Sequence, residues 1–199
     1  MLGKFIVFEG LDGSGISTQS GLLYDYFSKK GKKTVLTKEQ TNGLIGGLIK
    51  AGLRHEWKTT PLALQLLFAA DRSHHLDKQI NPAINNGKIV ICDRYILSTL
   101  AFGSLDVDMQ FLKEINSKFP APDITFILDV LPKICLQRIT KSRFHAELFE
   151  EEEKLNKIRK AYLSLKNYFP NTFVIDGNRS IEEVHKDIVK IVEEQIKEK

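Results

Sequence analysis

A run of small and polar residues near the amino terminus carries the first chemistry: Gly10-Leu11-Asp12-Gly13-Ser14-Gly15-Ile16-Ser17-Thr18. It follows the apolar stretch KFIVFE, Lys4 to Glu9, and leads into a helical stretch. That is the setting of a Walker A phosphate loop, G-x-x-x-x-G-K-[ST], between a strand and a helix. Glycines let successive N–H groups turn toward one phosphate, and the helix N-terminus adds the positive end of its dipole. On this reading the whole run lines an ATP site, and Ser17 is placed to ligate Mg²⁺ with Thr18 beside it. The lysine position of the pattern holds Ile16, which brings no charge to the β- and γ-phosphates.

Arginine usage points to further chemistry. Of 29 basic residues only seven are Arg: Arg54, Arg72, Arg94, Arg138, Arg143, Arg159 and Arg179. In a chain whose default cation is Lys, an Arg is expected where a bidentate fork is needed. Arg94 follows Asp93 directly after an apolar strand, at the carboxyl edge where doubly wound sheets bind ligands. There it can clamp a phosphate, while Asp93 orients Mg²⁺ or its waters, or simply holds Arg94. Phe68 and Arg72 lie four apart, on one face of a helix. That spacing suits a ring stacked on a planar ligand with a guanidinium at its edge, and equally suits a Phe in the core.

The elements that must hold these residues alternate along the chain. Lys4 to Glu9, Lys33 to Thr37, Lys88 to Asp93, Ile124 to Val130 and Thr172 to Asp176 are short, β-branched and aromatic, as buried parallel strands are. Between them, Gln19 to Lys30, Leu62 to Asn85, Asp108 to Lys118, Pro132 to Thr140, Glu147 to Tyr168 and Ile181 to Glu198 have helical spacing or composition. Pro82 is expected to end or kink the second of these. The pattern predicts one α/β domain over residues 1–199, a P-loop NTPase-type doubly wound sheet of five parallel strands with helices on both faces. Glu150 to Glu153, followed by Lys154, Lys157, Arg159 and Lys160, reads as a solvated helix face.

Composition excludes several classes. Hydrophobic residues make up 42% and charged residues 27%, so the chain is neither fibrous nor disordered. No apolar run approaches the ~20 residues that span a bilayer, and no membrane partner is expected. A net charge of +4, without Lys/Arg clusters interleaved with aromatics, fits an acidic small molecule and argues against nucleic acid. Cys92 and Cys135 each sit in an apolar stretch and read as buried free thiols in a reducing compartment, hence a cytoplasmic protein.

Further segments, taken with the loop, resemble the thymidylate kinase family. Leu66-Leu67-Phe68-Ala69-Ala70-Asp71-Arg72 is similar to that family's LLFAADR helix. Cys92 to Ser98 resembles its DR[YH]xxS motif, and Pro122 to Val130 with Leu136-Gln137-Arg138 resembles PDLTxxLDV…xxR. Lys38-Glu39-Gln40 stands where Arg-Glu-Pro is usual. The resemblance covers nearly the whole chain and implies ATP-dependent phosphorylation of dTMP to dTDP with Mg²⁺, by a homodimer. It implies that Phe68 stacks on thymine, Arg72 faces O4, Asp12 accepts the sugar 3′-hydroxyl, and Ser98 lies near the base, with Lys38, Arg94 and Phe102 also on the substrate. Thr140 to Phe149 resembles a lid. Gly13 belongs to the branch whose lid supplies the charge, which implies catalytic roles for Lys141 and Arg143, with Arg138 one turn earlier, beside Arg94 and Asp93. The family's usual Tyr-Gln is here Phe102-Gly103, and its lid-helix acid aligns with Glu147 or Glu150. A binding protein without catalysis, and a kinase for dUMP or another pyrimidine monophosphate, are the alternative readings.

Overall fold

The computed structural model describes residues 3–139 and 145–197, with side chains over 3–139 and 151–196. Its centre is a parallel sheet of β1 (Lys4–Gly10), β2 (Thr34–Lys38), β3 (Ile89–Asp93), β4 (Ile124–Asp129) and β5 (Thr172–Asp176), in the order β2-β3-β1-β4-β5. Each expected strand is present, with ends shifted by one residue at most. Successive residues of β1 serve opposite faces: Phe5 and Val7 enter one apolar cluster, Ile6 and Phe8 the other. Burial on both faces explains why the strands read as continuous apolar runs.

Helices cover both faces. On one side α1 (Ile16–Lys29) and α9 (Ile181–Lys197) close over Ile6, Phe8, Phe126 and Ile175. On the other, α5 (Ile96–Gly103), α6 (Met109–Asn116), α7 (Pro132–Ile139) and α8 (His145–Ser164) close over Val7, Val90, Cys92 and Ile127. The chain steps from β1 outward to β2, back to β3, then across to β4. Ligands in such sheets sit at the carboxyl ends beside this reversal. The register sets those ends level, pairing Lys38 with Asp93 and Asp129 with Asp176.

The long helix expected from Leu62 to Asn85 is three segments. They are α3 (Pro61–His75), a π-helical turn (Leu76–Ile80) and α4 (Asn81–Asn85). Pro82 neither ends the run nor stands in its middle, because the wider turn before it restarts the helix and leaves Pro82 in the first turn of α4. There its missing N–H breaks no bond. Two helices, α2 (Leu44–Leu53) and α5, add to those expected. Helix α8 begins at His145, so it takes in the carboxyl half of the stretch expected as a lid. Lys141 and Arg143 lie outside the described residues, as do the side chains of His145, Glu147 and Glu150.

Candidate active site

The loop after β1 is built by backbone conformation. Gly10, Gly13 and Gly15 have φ of 155°, 79° and 98°, values that side chains disfavour. At Gly13 a Cβ would also lie 2.6 Å from the Cys135 carbonyl oxygen and 2.9 Å from Ile139 Cγ1. The loop therefore rests directly on α7. Helix α1 starts beyond Gly15 with no side-chain cap and no acidic residue in its first turn. Its leading N–H groups are open donors at the positive end of the helix dipole, a ready anion site. Ile16 turns away from that space, 5% exposed within the apolar cluster of Ile6, Phe8, Leu23 and Phe27.

Ser17, in the first turn of α1, donates its hydroxyl to Asp93 Oδ2 at the end of β3. The pair expected to hold Mg²⁺ is thus assembled. Arg94 has φ 72°, and from that position its guanidinium spans the mouth of the site. Nη2 donates to Asp12 Oδ1 at 2.6 Å, while Nη1 donates to the Gly10 carbonyl at 2.9 Å and Ser98 Oγ at 3.2 Å. Its plane lies over the Phe102 ring, 5.2 Å from the centroid. Arg138 crosses the far side of the loop, donating to the carbonyls of Gly13 (3.4 Å), Ser14 (3.5 Å) and Gly177 (3.2 Å). Two guanidinium groups therefore flank a loop that has no lysine.

Three cavities open beside these residues. One of about 370 Å³ is walled by Asp12, Phe68, Arg72, Arg94, Ser98 and Phe102. A second of about 600 Å³ reaches Ser17 and Asp93 and is bordered by Lys38, His74 and Lys78. The third, about 270 Å³, lies between the loop and the start of α9, beside Ser14, Thr18, Arg138 and Arg179. Most expected substrate residues thus share the first cavity. Lys38 does not join them; its strand end faces the cavity shared with Ser17 and Asp93.

Two expected residues are more tied down than free ligand-binding groups would be. Arg72 is 1% exposed and donates to Glu39 Oε2 through Nε (2.9 Å) and Nη2 (2.7 Å), to Thr99 Oγ1 (2.9 Å), and through Nη1 to Asn116 Oδ1. Of its five N–H groups one, on Nη1, keeps no partner among the described residues. The Ser98 hydroxyl donates to Glu9 Oε2 and also meets the Tyr162 hydroxyl at 2.8 Å.

Glu9 was not anticipated. It is fully buried, and its Oε1 accepts the N–H groups of Tyr95 (3.1 Å) and Leu97 (3.0 Å), capping α5 and so aiming Arg94 and Ser98. Burial pushes its carboxyl up to about 7, against the opposing pull of the Ser98 hydrogen bond and the Arg94 charge. Its signal was in plain view as an acid closing an apolar strand, KFIVFE. Tyr162, from α8, and Glu39 were likewise missed.

A phosphate loop feeding α1, a Ser–Asp pair at the neighbouring strand end and two loop-flanking arginines define a P-loop nucleotide-binding enzyme fold. The thymidylate kinase family model matches residues 8–188. The chain is 41% identical to a probable thymidylate kinase of Pyrococcus horikoshii, with 98% of each chain covered. It is 40% identical to the thymidylate kinase of Desulfotalea psychrophila, covering 98% of this chain and 96% of that one. The crystal structure of thymidylate kinase from Ehrlichia chaffeensis superposes with a TM-score of 0.78 at 30% identity, over 96% of this chain and all of that one. The chain belongs to the thymidylate kinase family, and is therefore a nucleoside monophosphate kinase by descent.

Proposed function

We propose that this chain transfers the γ-phosphoryl group of ATP to dTMP, giving ADP and dTDP. The observation that carries the reading is the position of Arg94. It bridges the start of the phosphate loop, through the Gly10 carbonyl, to the cavity of Phe68 and Arg72, through Asp12 and Ser98. A phosphate of an acceptor seated in that cavity would meet a phosphate held by the loop at this guanidinium. Such a transfer needs alignment and charge neutralisation and no covalent intermediate. The loop N–H groups hold the donor's phosphates, and the cavity beside Arg138 and Arg179 takes its nucleoside end. Phe68 stacks on the thymine ring, Arg72 offers its remaining N–H to a ring carbonyl, and Asp12 takes the sugar hydroxyl.

Mg²⁺ fits the oxygen donors Ser17 and Asp93. Among the described residues no group of three or more His, Cys, Asp or Glu is arranged for a metal, so water and phosphate oxygens must complete its shell, as this ion prefers. When bound it neutralises phosphate charge during transfer. Lys38 borders the same cavity and adds a cation on that side. Lys141 and Arg143 would close over the phosphates from a lid at about 140–149.

The reading extends to a homodimer. Leu44, Leu48, Leu53, Leu62 and Leu66, between 45% and 92% exposed, cluster on the α2–α3 side, an apolar surface that a second copy would cover. A cytoplasmic setting accords with the two free, buried cysteines. Coupled ADP production with dTMP, dUMP, UMP, dCMP and dGMP tests the function: dTMP is expected to give the highest kcat/KM. No turnover with any of the five would make the chain a binding protein, and a preference for dUMP would reassign the acceptor.

A further inference from the structure

Arg94 is held from two sides that differ in kind. On the solvent side Nη2 donates to Asp12, whose side chain is 65% exposed. On the inner side Nη1 is offered three neutral acceptors: the Gly10 carbonyl, Ser98 Oγ and, at 3.3 Å, the hydroxyl of Tyr162. Neutral acceptors fix a guanidinium without cancelling its charge, which stays available to phosphate. The Asp12 contact is open to competition, since the dTMP reading gives that carboxylate the sugar hydroxyl. What keeps Arg94 in place as a substrate enters is therefore the inner set.

Tyr162 is the member of that set with no contact of its own to a ligand space. It is 2% exposed and walls none of the three cavities, and its hydroxyl lies 2.8 Å from Ser98 Oγ. Burial raises its phenol well above the usual range, so the group stays a neutral hydroxyl. Its ring stands edge-on to Phe102, with 6.1 Å between centroids, and Phe102 is the ring on which the Arg94 plane lies. One turn earlier on α8, Arg159 forks Asp129 at the end of β4, at 2.5 and 2.8 Å. That fork ties this part of the helix to the sheet and so fixes where the Tyr162 hydroxyl falls.

We infer that Tyr162 is a positioning residue, whose hydroxyl, with that of Ser98, holds Nη1 of Arg94 so that the guanidinium faces the junction of the two substrates' phosphates. The inference rests on the dTMP reading above.

Titration calorimetry and turnover on the whole chain test it with Tyr162→Phe, which keeps the ring on Phe102 and removes only the hydroxyl. A loosened Arg94 is expected to weaken dTMP binding about fivefold and to lower kcat for dTDP about tenfold. Thymidine, which lacks the phosphate, should bind the variant within about twofold of the parent. In an Arg94→Lys background, where Nη1 is gone, the same change at position 162 should alter dTMP affinity and kcat by less than about twofold. Should Tyr162→Phe not fold, Ser98→Ala removes the other hydroxyl at Nη1 and must show the same dependence on Arg94. Equal losses for dTMP and thymidine, equal losses in both backgrounds, or no loss at all overturn the inference. A parent that makes no dTDP, yet shows the loss for dTMP alone, would sink the functional reading and leave Tyr162 in its role.

Discussion

Arg72 and Glu39 come from different elements and form an enclosed ion pair: their side chains are 1% and 3% exposed, and Glu39 Oε2 accepts from both Nε and Nη2 of Arg72. His75 completes the arrangement. Its Nδ1 lies 3.4 Å from Glu39 Oε1, and its Nε2 lies 2.7 Å from Thr37 Oγ1, whose hydroxyl donates to Gln79 Oε1. Arg72 thus serves first as a post that fixes the wall of the Phe68 cavity, ahead of its proposed contact with a ligand.

Arg72→Ala is therefore expected to do more than raise the KM for dTMP. It strands a buried carboxylate, which costs about 3–5 kcal/mol. Denaturant unfolding should show that loss, and the double change Arg72→Met with Glu39→Gln should recover at least half of it. A single variant of unaltered stability would show that the pair contributes little to the fold.

Asp93→Asn keeps the shape of the Ser17 contact while removing a charge from the proposed metal side. The Mg²⁺ concentration for half-maximal ADP production should rise at least tenfold, about 1.4 kcal/mol, with dTMP affinity measured without ATP unchanged. An unmoved Mg²⁺ midpoint would confine Asp93 to holding Ser17.

Glu9 sets a pH dependence whose sign can be worked out. Its carboxyl is raised from 4.5 to about 7 by burial, so the folded state holds a proton that the unfolded chain releases at lower pH. Its contribution to stability is fully present below about 4.5 and is lost as pH rises through 7. Glu9→Gln removes that term. Between pH 5 and pH 8 the variant should gain about 2–3 kcal/mol relative to the parent, read as diverging denaturant midpoints. Parallel midpoints would place the Glu9 titration outside this window.

The sheet was legible because parallel strands buried on both faces leave unbroken apolar runs, and KFIVFE, KIVICD and ITFILDV show them. Helix α5 was not, since Ile96, Leu97, Leu100 and Ala101 are buried all round and leave no polar face to set a period. Helix α2 was hidden by Gly46, Gly47 and Gly52, residues that argue against a helix; packing requires the first of them, since a Cβ at Gly46 would lie 2.1 Å from the Thr41 carbonyl oxygen. The rarity of Arg was a partial guide: Arg54 and Arg159 fork both oxygens of one carboxylate, whereas Arg72, Arg94 and Arg179 pair with Glu39, Asp12 and Asp187 through a single oxygen. What rarity could not reveal was how far Arg72 is committed to Glu39, because that depends on which elements cross.

The apolar α2–α3 surface predicts assembly. Leu44→Glu with Leu48→Glu should turn a dimer into a monomer in sedimentation experiments, at little cost to folding, because both side chains are more than half exposed in one copy. A parent chain that sediments as a monomer at micromolar concentration would contradict the homodimer.

Under the proposed function this chain phosphorylates dTMP although the first residue of α1 is a buried isoleucine, the needed charge coming from arginines at the loop. The most direct test is kcat for dTDP formation by the parent and by Ile16→Lys. Measurable turnover is expected in the parent, at or below the low end of the ~1–100 s⁻¹ usual for kinases. Because Arg94 and Arg138 already flank the loop, the added lysine is expected to alter kcat by less than about tenfold, or ~1.4 kcal/mol. A parent that makes no dTDP beside an active Ile16→Lys variant, or a rise far beyond tenfold, would contradict this reading.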